Sequence, residues 1–216
     1  HDTLAPLFDG HEAWYNELLL LVGHEISPKS GCHYLAFNLD KEIQGKNRID
    51  YQNLIDEVNE SGGFGFIAHP YGAKQPPLMI KKGQLWTDWK VDRYSGIEIW
   101  SYMVDWINHV NFFTLMYYQF FPEKAIKGPS SKTLKKWDEI AQKRHVVGIG
   151  STDAHALPLP FLGFIKFLPY EYLYRTIRTH ILLNEPLSIE PIITKLDTSS
   201  FVPVSALSKL IFILLL

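Results

Sequence analysis

Apolar residues fall in short blocks along this chain, and stretches of mixed polarity separate them. "LLLLVGHEI" (18–26) and "CHYLAFNL" (32–39) read as strands. "YQNLIDEVNESGG" (51–63) sets Leu54, Ile55 and Val58 at helical spacing and closes on glycine, which predicts a helix. "FGFIAHP" (64–70) is a short strand stopped by Pro70, and "GIEIW" (96–100) is another. "DWINHVNFFTLMYYQFF" (105–121) has helical length and many aromatics, for which core packing is the default and an oligomer contact the alternative. "SKTLKKWDEIAQKRH" (131–145) puts Leu134, Trp137, Ile140 and Ala141 on one face, with Ser131 placed to cap it. "HVVGIG" (145–150) reads as a buried strand, and "PYEYLYRTIRTHILL" (169–183) as a helix with Pro169 near its start.

Strands therefore alternate with helices, and the strands are apolar on both faces. That pattern predicts an α/β fold with a mostly parallel sheet or barrel. "GAKQPPLMIKKGQ" (72–84) reads as a surface loop, and no internal repeat or linker interrupts the chain.

Composition narrows the classes. With 216 residues, 46% hydrophobic and 20% charged, the chain is long and apolar enough to bury a substantial core. A net charge of −2 without a long basic run gives no cationic face for nucleic acid. The single cysteine, Cys32, excludes an internal disulfide framework and a multi-cysteine zinc site. The sequence closes on "LSKLIFILLL", whose seven consecutive apolar residues fall short of the about 20 that span a bilayer. A terminal strand or helix docked on the core is the first reading, and the start of a membrane segment the second. The expected compartment is the cytoplasm, with membrane contact through the C-terminus as the alternative.

The chemistry lies in where the ligand-type side chains fall. Glu25, His69 and the Asp153/His155 pair of "GSTDAHA" (150–156) each come at or just past the C-terminal end of an apolar strand. In parallel barrels that end of the sheet carries the active site. Imidazoles and carboxylates without thiolate suit a catalytic zinc, manganese or iron site better than a structural zinc cage. Taken singly, Glu25 reads equally as a loop carboxylate, His69 as a core histidine and Asp153 as a helix cap. Together, each of those readings requires the same strand-end placement by coincidence. His24 falls on the opposite face from Glu25 in a continuous strand and is set aside.

"HDTL" (1–4), "GHEIS" (23–27), "IAHPYG" (67–72), "GIEIW" (96–100) and "GSTDAHA" (150–156) resemble, in this order, motifs of the PHP-domain (polymerase and histidinol phosphatase) metal-dependent hydrolases. The pattern is similar to the CehA/McbA-like branch and runs over most of residues 1–185. The resemblance implies a distorted seven-stranded (β/α) TIM-like barrel holding two or three divalent metal ions (Mn, Zn or Fe). It implies His1, Glu25, His69, Asp153 and His155 as metal ligands, Glu25 bridging two metals and His155 sharing a third with His1. It places His33 and Glu98 near the active site. The implied reaction is hydrolysis of a small-molecule phosphate ester by metal-activated water, with Asp2 or His155 moving a proton. Lys74 would hold the anionic product, or be a solvated loop lysine.

The family's opening His-x-His motif has no counterpart here, and the sequence given starts on the matched histidine. The expectation is a PHP-type domain (1–185) lacking its first β/α unit, followed by an extension (186–216). Two other readings stay open. The same site could hydrolyse a carboxylic or carbamate ester or an amide. A domain without the missing ligands could be a non-catalytic binding module.

Overall fold

The computed structural model describes residues 3–16, 18–29, 32–45, 50–72, 85–111, 113–154, 157–158, 166–181 and 213–214. Its elements run α1 (Ala5–Phe8), β1 (Ala13–Tyr15), β2 (Leu18–Val22), β3 (His24–Ile26), β4 (Tyr34–Phe37), α2 (Tyr51–Glu60), β5 (Phe64–Ile67), β6 (Gly96–Ser101), α3 (Tyr102–His109), α4 (Thr114–Phe120), a 3₁₀ turn (Pro122–Ala125), α5 (Ser131–Ala141), β7 (Val147–Ser151), β8 (Leu157–Pro158), β9 (Lys166–Phe167), α6 (Tyr170–Leu173) and β10 (Ile213–Leu214).

The centre is a five-stranded sheet in the order β3-β4-β5-β6-β7. β5, β6 and β7 are parallel, whereas β4 runs antiparallel to both β3 and β5. The expected (β/α)7 barrel is therefore corrected to an open mixed sheet. Two local features account for this. Residues 27–33 between β3 and β4 are too few for a parallel crossover, which takes a dozen or more. The apolar run 18–26 also breaks at Gly23, so β2 leaves the central sheet and pairs with β1 and β10 instead. The far edge strand, β7, is covered by a side chain. The Thr179 hydroxyl accepts from the Gly150 N–H and donates to the Gly150 carbonyl, both at 2.8 Å.

Side chains alternate across the sheet and build a core on each face. Tyr34, Ala36, Ile67 and Ile97 meet Leu54, Ile55 and Val58 of α2, with Trp137 and Ile140 of α5 packed alongside. Leu35, Phe37, Phe66 and Ile149 face the other way and meet Leu19 and Leu21 of β2. Gly96 makes this second face possible, because a Cβ there would sit 2.4 Å from the Val147 carbonyl oxygen and 2.6 Å from the Phe66 ring. α2 forms where the spacing predicts it. The Asp50 side chain caps it by accepting from the Gln52 and Asn53 N–H groups, and Gly62, at φ +75°, turns the chain away.

Three expected helices change. The segment 105–121 is two helices, because Asn111 and Thr114 bond reciprocally and restart the chain as α4. α3 buries Tyr102 and Trp106, whereas α4 exposes Phe113 at its start along with Phe120. α5 begins at Ser131, its N-cap is Ser130, and no side chain caps it. Among the described residues of the helix expected over 169–183, helical form is confined to α6, and Ile177 and Thr179 approach Gly150 of β7. Among the described residues, no helix is long and apolar enough to cross a membrane.

Candidate metal centre

The antiparallel placement of β4 decides where the site forms. β3, β5, β6 and β7 share one direction, so their C-terminal ends lie on one rim, and the N-terminal start of β4 meets them there. Glu25 sits on β3, His69 two residues past β5, Glu98 on β6 and Asp153 two residues past β7. His33, directly before β4, reaches the same rim because its strand is reversed. The Ala68 N–H donates to the His33 carbonyl at 3.1 Å and carries the β4–β5 pairing one step further. Glu25 pairs with Leu35 and Glu98 with Ile149, so both carboxylates project from the second face.

Glu25, His33 and His69 converge. Each offers one ligand atom, and the three atoms lie within 4.8 Å of one another. The His33 Nδ1–H donates to Glu25 Oε1 at 2.6 Å, and His69 Nε2 stands 3.7 Å from the same oxygen as an ion pair rather than a formed hydrogen bond. The two imidazoles meet edge to face, with centroids 5.0 Å apart. Glu25 is 4% exposed and His33 31%, so His33 is where the cluster opens to solvent.

Two further carboxylates stand beside this trio. Glu98 accepts from the His69 backbone N–H at 2.6 Å and from the Ser151 hydroxyl. That contact holds His69 at φ +24°, and Asp153 is also left-handed at φ +47°. Such backbone conformations in residues other than glycine cost on the order of 1–3 kcal/mol and concentrate at functional sites. Burial pulls His69 toward the neutral form, but the contact with Glu25 and the charges of Asp153 and Glu98 outweigh it and raise its pKa to about 9. Burial pushes Glu98 up to about 7, the His69 charge opposing and the Asp153 charge adding. Three carboxylates, of Glu25, Glu98 and Asp153, thus stand at this rim with the two imidazoles of His33 and His69.

This donor set fits a divalent cation. It offers two imidazoles and one buried carboxylate without thiolate, with ligand atoms within 4.8 Å of one another, and these are ligand types that zinc takes. A bound cation would also neutralise carboxylates that are otherwise costly to bury. Asp153 acts on this trio through its charge and is not one of the three converging ligands. His1, Asp2, Lys74 and His155 lie outside the described residues, as does residue range 186–216 apart from the backbone of β10.

The rim opens into a cavity of about 760 Å³, of which His69 and Glu98 form one wall. Trp100, Asp105, Lys127 and the start of α5 line the rest. Sequence reading passed over Ser151, although it stands inside "GSTDAHA", and over "KGPSSKT" (127–133). The signal for the latter was present, because Gly, Pro, Ser and Lys directly before an amphipathic helix mark an open helix N-terminus. Comparison with protein-family models, curated proteins and solved structures gives no match.

Proposed function

We propose that this protein is a metal-dependent hydrolase acting on a small phosphate ester. The observation that carries the reading is the convergence of Glu25, His33 and His69 on one partly buried rim that opens into a ligand-sized cavity. The ordered likeness to PHP-domain motifs supports the same chemistry, without that family's barrel. Glu25, His33 and His69 would hold the ion. When bound, a divalent cation acidifies water and draws charge from the ester oxygens.

The protein's own groups do the positioning. Glu25 orients the His33 ring through its contact with Nδ1. Glu98 and Ser151 fix the backbone that presents His69. Asp153 adds the charge that keeps the rim attractive to cations.

The test is turnover of matched p-nitrophenyl phosphate and p-nitrophenyl acetate with added manganese or zinc. The expected result is phosphate-ester hydrolysis that a chelator stops and that His69→Ala lacks. Acetate turnover alone would move the assignment to carbonyl substrates. No metal-dependent turnover of either would leave a binding module.

A further inference from the structure

The cavity has a second wall, and α3 supplies part of it. Asp105 and His109 stand four residues apart on this helix, which puts them on one face, and both line the cavity. The Asp105 side chain is 7% exposed, and its two oxygens differ. Oδ2 accepts from Trp100 Nε1 at 2.8 Å and from the Lys127 and Gly128 N–H groups at 3.1 and 3.2 Å. Oδ1 has no hydrogen-bond partner among the described residues. His109 repeats the arrangement. Its Nδ1–H donates to the Asp105 backbone carbonyl at 2.7 Å, which leaves the lone pair of the neutral ring at Nε2. That nitrogen also has no partner among the described residues.

Neither atom is among the polar atoms shut away from solvent, so the open space before them is the cavity. A largely buried acceptor gains from a donor that enters the space it faces. Trp100 lines the cavity beside them, with its ring held through Nε1. A polyol carries C–H faces and O–H edges together, so it meets an apolar ring and two acceptors at once. Lys127 and Lys132 also line the space, as exposed side chains, and their charge favours a neutral hydroxyl over an ammonium. The wall adjoins the metal-binding rim through β6. Glu98 and Trp100 both line the cavity and are two residues apart on that strand, a rise of about 7 Å.

We propose that Asp105 Oδ1 and His109 Nε2 form a hydroxyl-recognising subsite, so that the substrate is a phosphate ester whose other end is a polyol or sugar. This rests on the hydrolase reading, for which it names the substrate class. The three N–H donors on Oδ2 hold the carboxylate still, and selectivity comes from the oxygen they leave open. A cavity of about 760 Å³ has room for the ester and a head group of this kind together.

The probes are 2,3-dihydroxypropylphosphonate, propylphosphonate and 3-aminopropylphosphonate, which share a non-hydrolysable phosphonate and differ at the head. Each is titrated into the full chain, first chelated and then with zinc added, while the Trp100 indole N–H resonance is followed. Trp100→Phe assigns that resonance. The diol is expected to shift it saturably in both forms, and to bind about tenfold more tightly than either other probe. In Asp105→Asn the inner N–H donors keep the amide oxygen inward and turn the amide nitrogen to the cavity. The charge-assisted bond is lost, and the diol's advantage should fall to about threefold or less. His109→Phe keeps a ring and leaves the turn that Asp105 holds untouched, and it should lower the advantage about threefold. No saturable shift by the diol, equal binding of the diol and propyl probes, tightest binding of the amine, or an advantage unchanged in both variants would overturn the proposal. Absence of metal-dependent ester turnover with the diol preference intact would instead overturn the hydrolase reading and leave the subsite standing.

Discussion

The two faces of the central sheet differ in what they bury. One face sets Tyr34, Ala36, Ile67 and Ile97 against the apolar stripe of α2. The other begins with Leu35, Phe37 and Phe66 but ends, at the rim, in Glu25 and Glu98, which are 4% and 2% exposed. Apolar burial on the first face contributes stability roughly in proportion to area. Buried carboxylates on the second cost stability unless a partner ion meets them. The same strands thus carry a stabilising face and a face whose rim gathers carboxylates and imidazoles.

Substitutions on the two faces should separate stability from binding. Leu54→Ala on α2 should lower unfolding free energy by about 2–5 kcal/mol in denaturant titrations, while metal bound per folded chain stays the same. Glu25→Gln should do the reverse. Metal affinity should fall by at least about 100-fold, while the metal-free protein, which keeps a hydrogen-bonding side chain of the same shape at this position, loses less stability than Leu54→Ala. A Glu25→Gln variant that unfolds as readily as Leu54→Ala would erase the contrast between the faces.

Protonation sharpens it further. In the metal-free protein both Glu98 and His69 have folded pKa values above their ordinary ones of 4.5 and 6.5, at about 7 and about 9. The folded state therefore binds more protons than the unfolded state. Their contribution is fully present at low pH and is lost as pH rises through about 7 and then about 9. Thermal melts of chelated protein should decline over that window, and Glu98→Gln should flatten the lower half of it. A cation that displaces the His69 proton should bind up to about tenfold more tightly per pH unit below about 9 and release a proton, measurable by calorimetry in buffers of different ionisation enthalpy. The smallest effect belongs to the α2 cap, where Asp50→Ala should cost about 1 kcal/mol and leave metal binding unchanged.

Much of this arrangement is legible in the sequence, because it follows local rules. Whereas β7 buries only Ile149 of its residues, the helical spacing of Leu54, Ile55 and Val58, and the short apolar blocks of β4 to β6, report burial directly. So does the recurrence of Glu or His where an apolar block stops, which placed Glu25, His69 and Asp153 at strand ends. Pairing direction is different, since it depends on partners distant in sequence and on the brevity of 27–33. Reading the sheet as parallel produced the barrel, and it left His33 a minor candidate, because only a reversed β4 brings its start to the common rim. The segments 105–121 and 169–183 show the other source of error. Side-chain bonds from Asn111, Thr114 and Thr179 override a helical pattern that composition alone supports.

Equilibrium dialysis of the full chain against manganese or zinc, followed by elemental analysis, tests the central claim most directly. The account predicts at least one tightly held ion per folded chain, lost in both Glu25→Ala and His69→Ala and retained in Leu54→Ala. A folded chain that takes up no metal, or one that keeps it after both ligands are removed together, would contradict it.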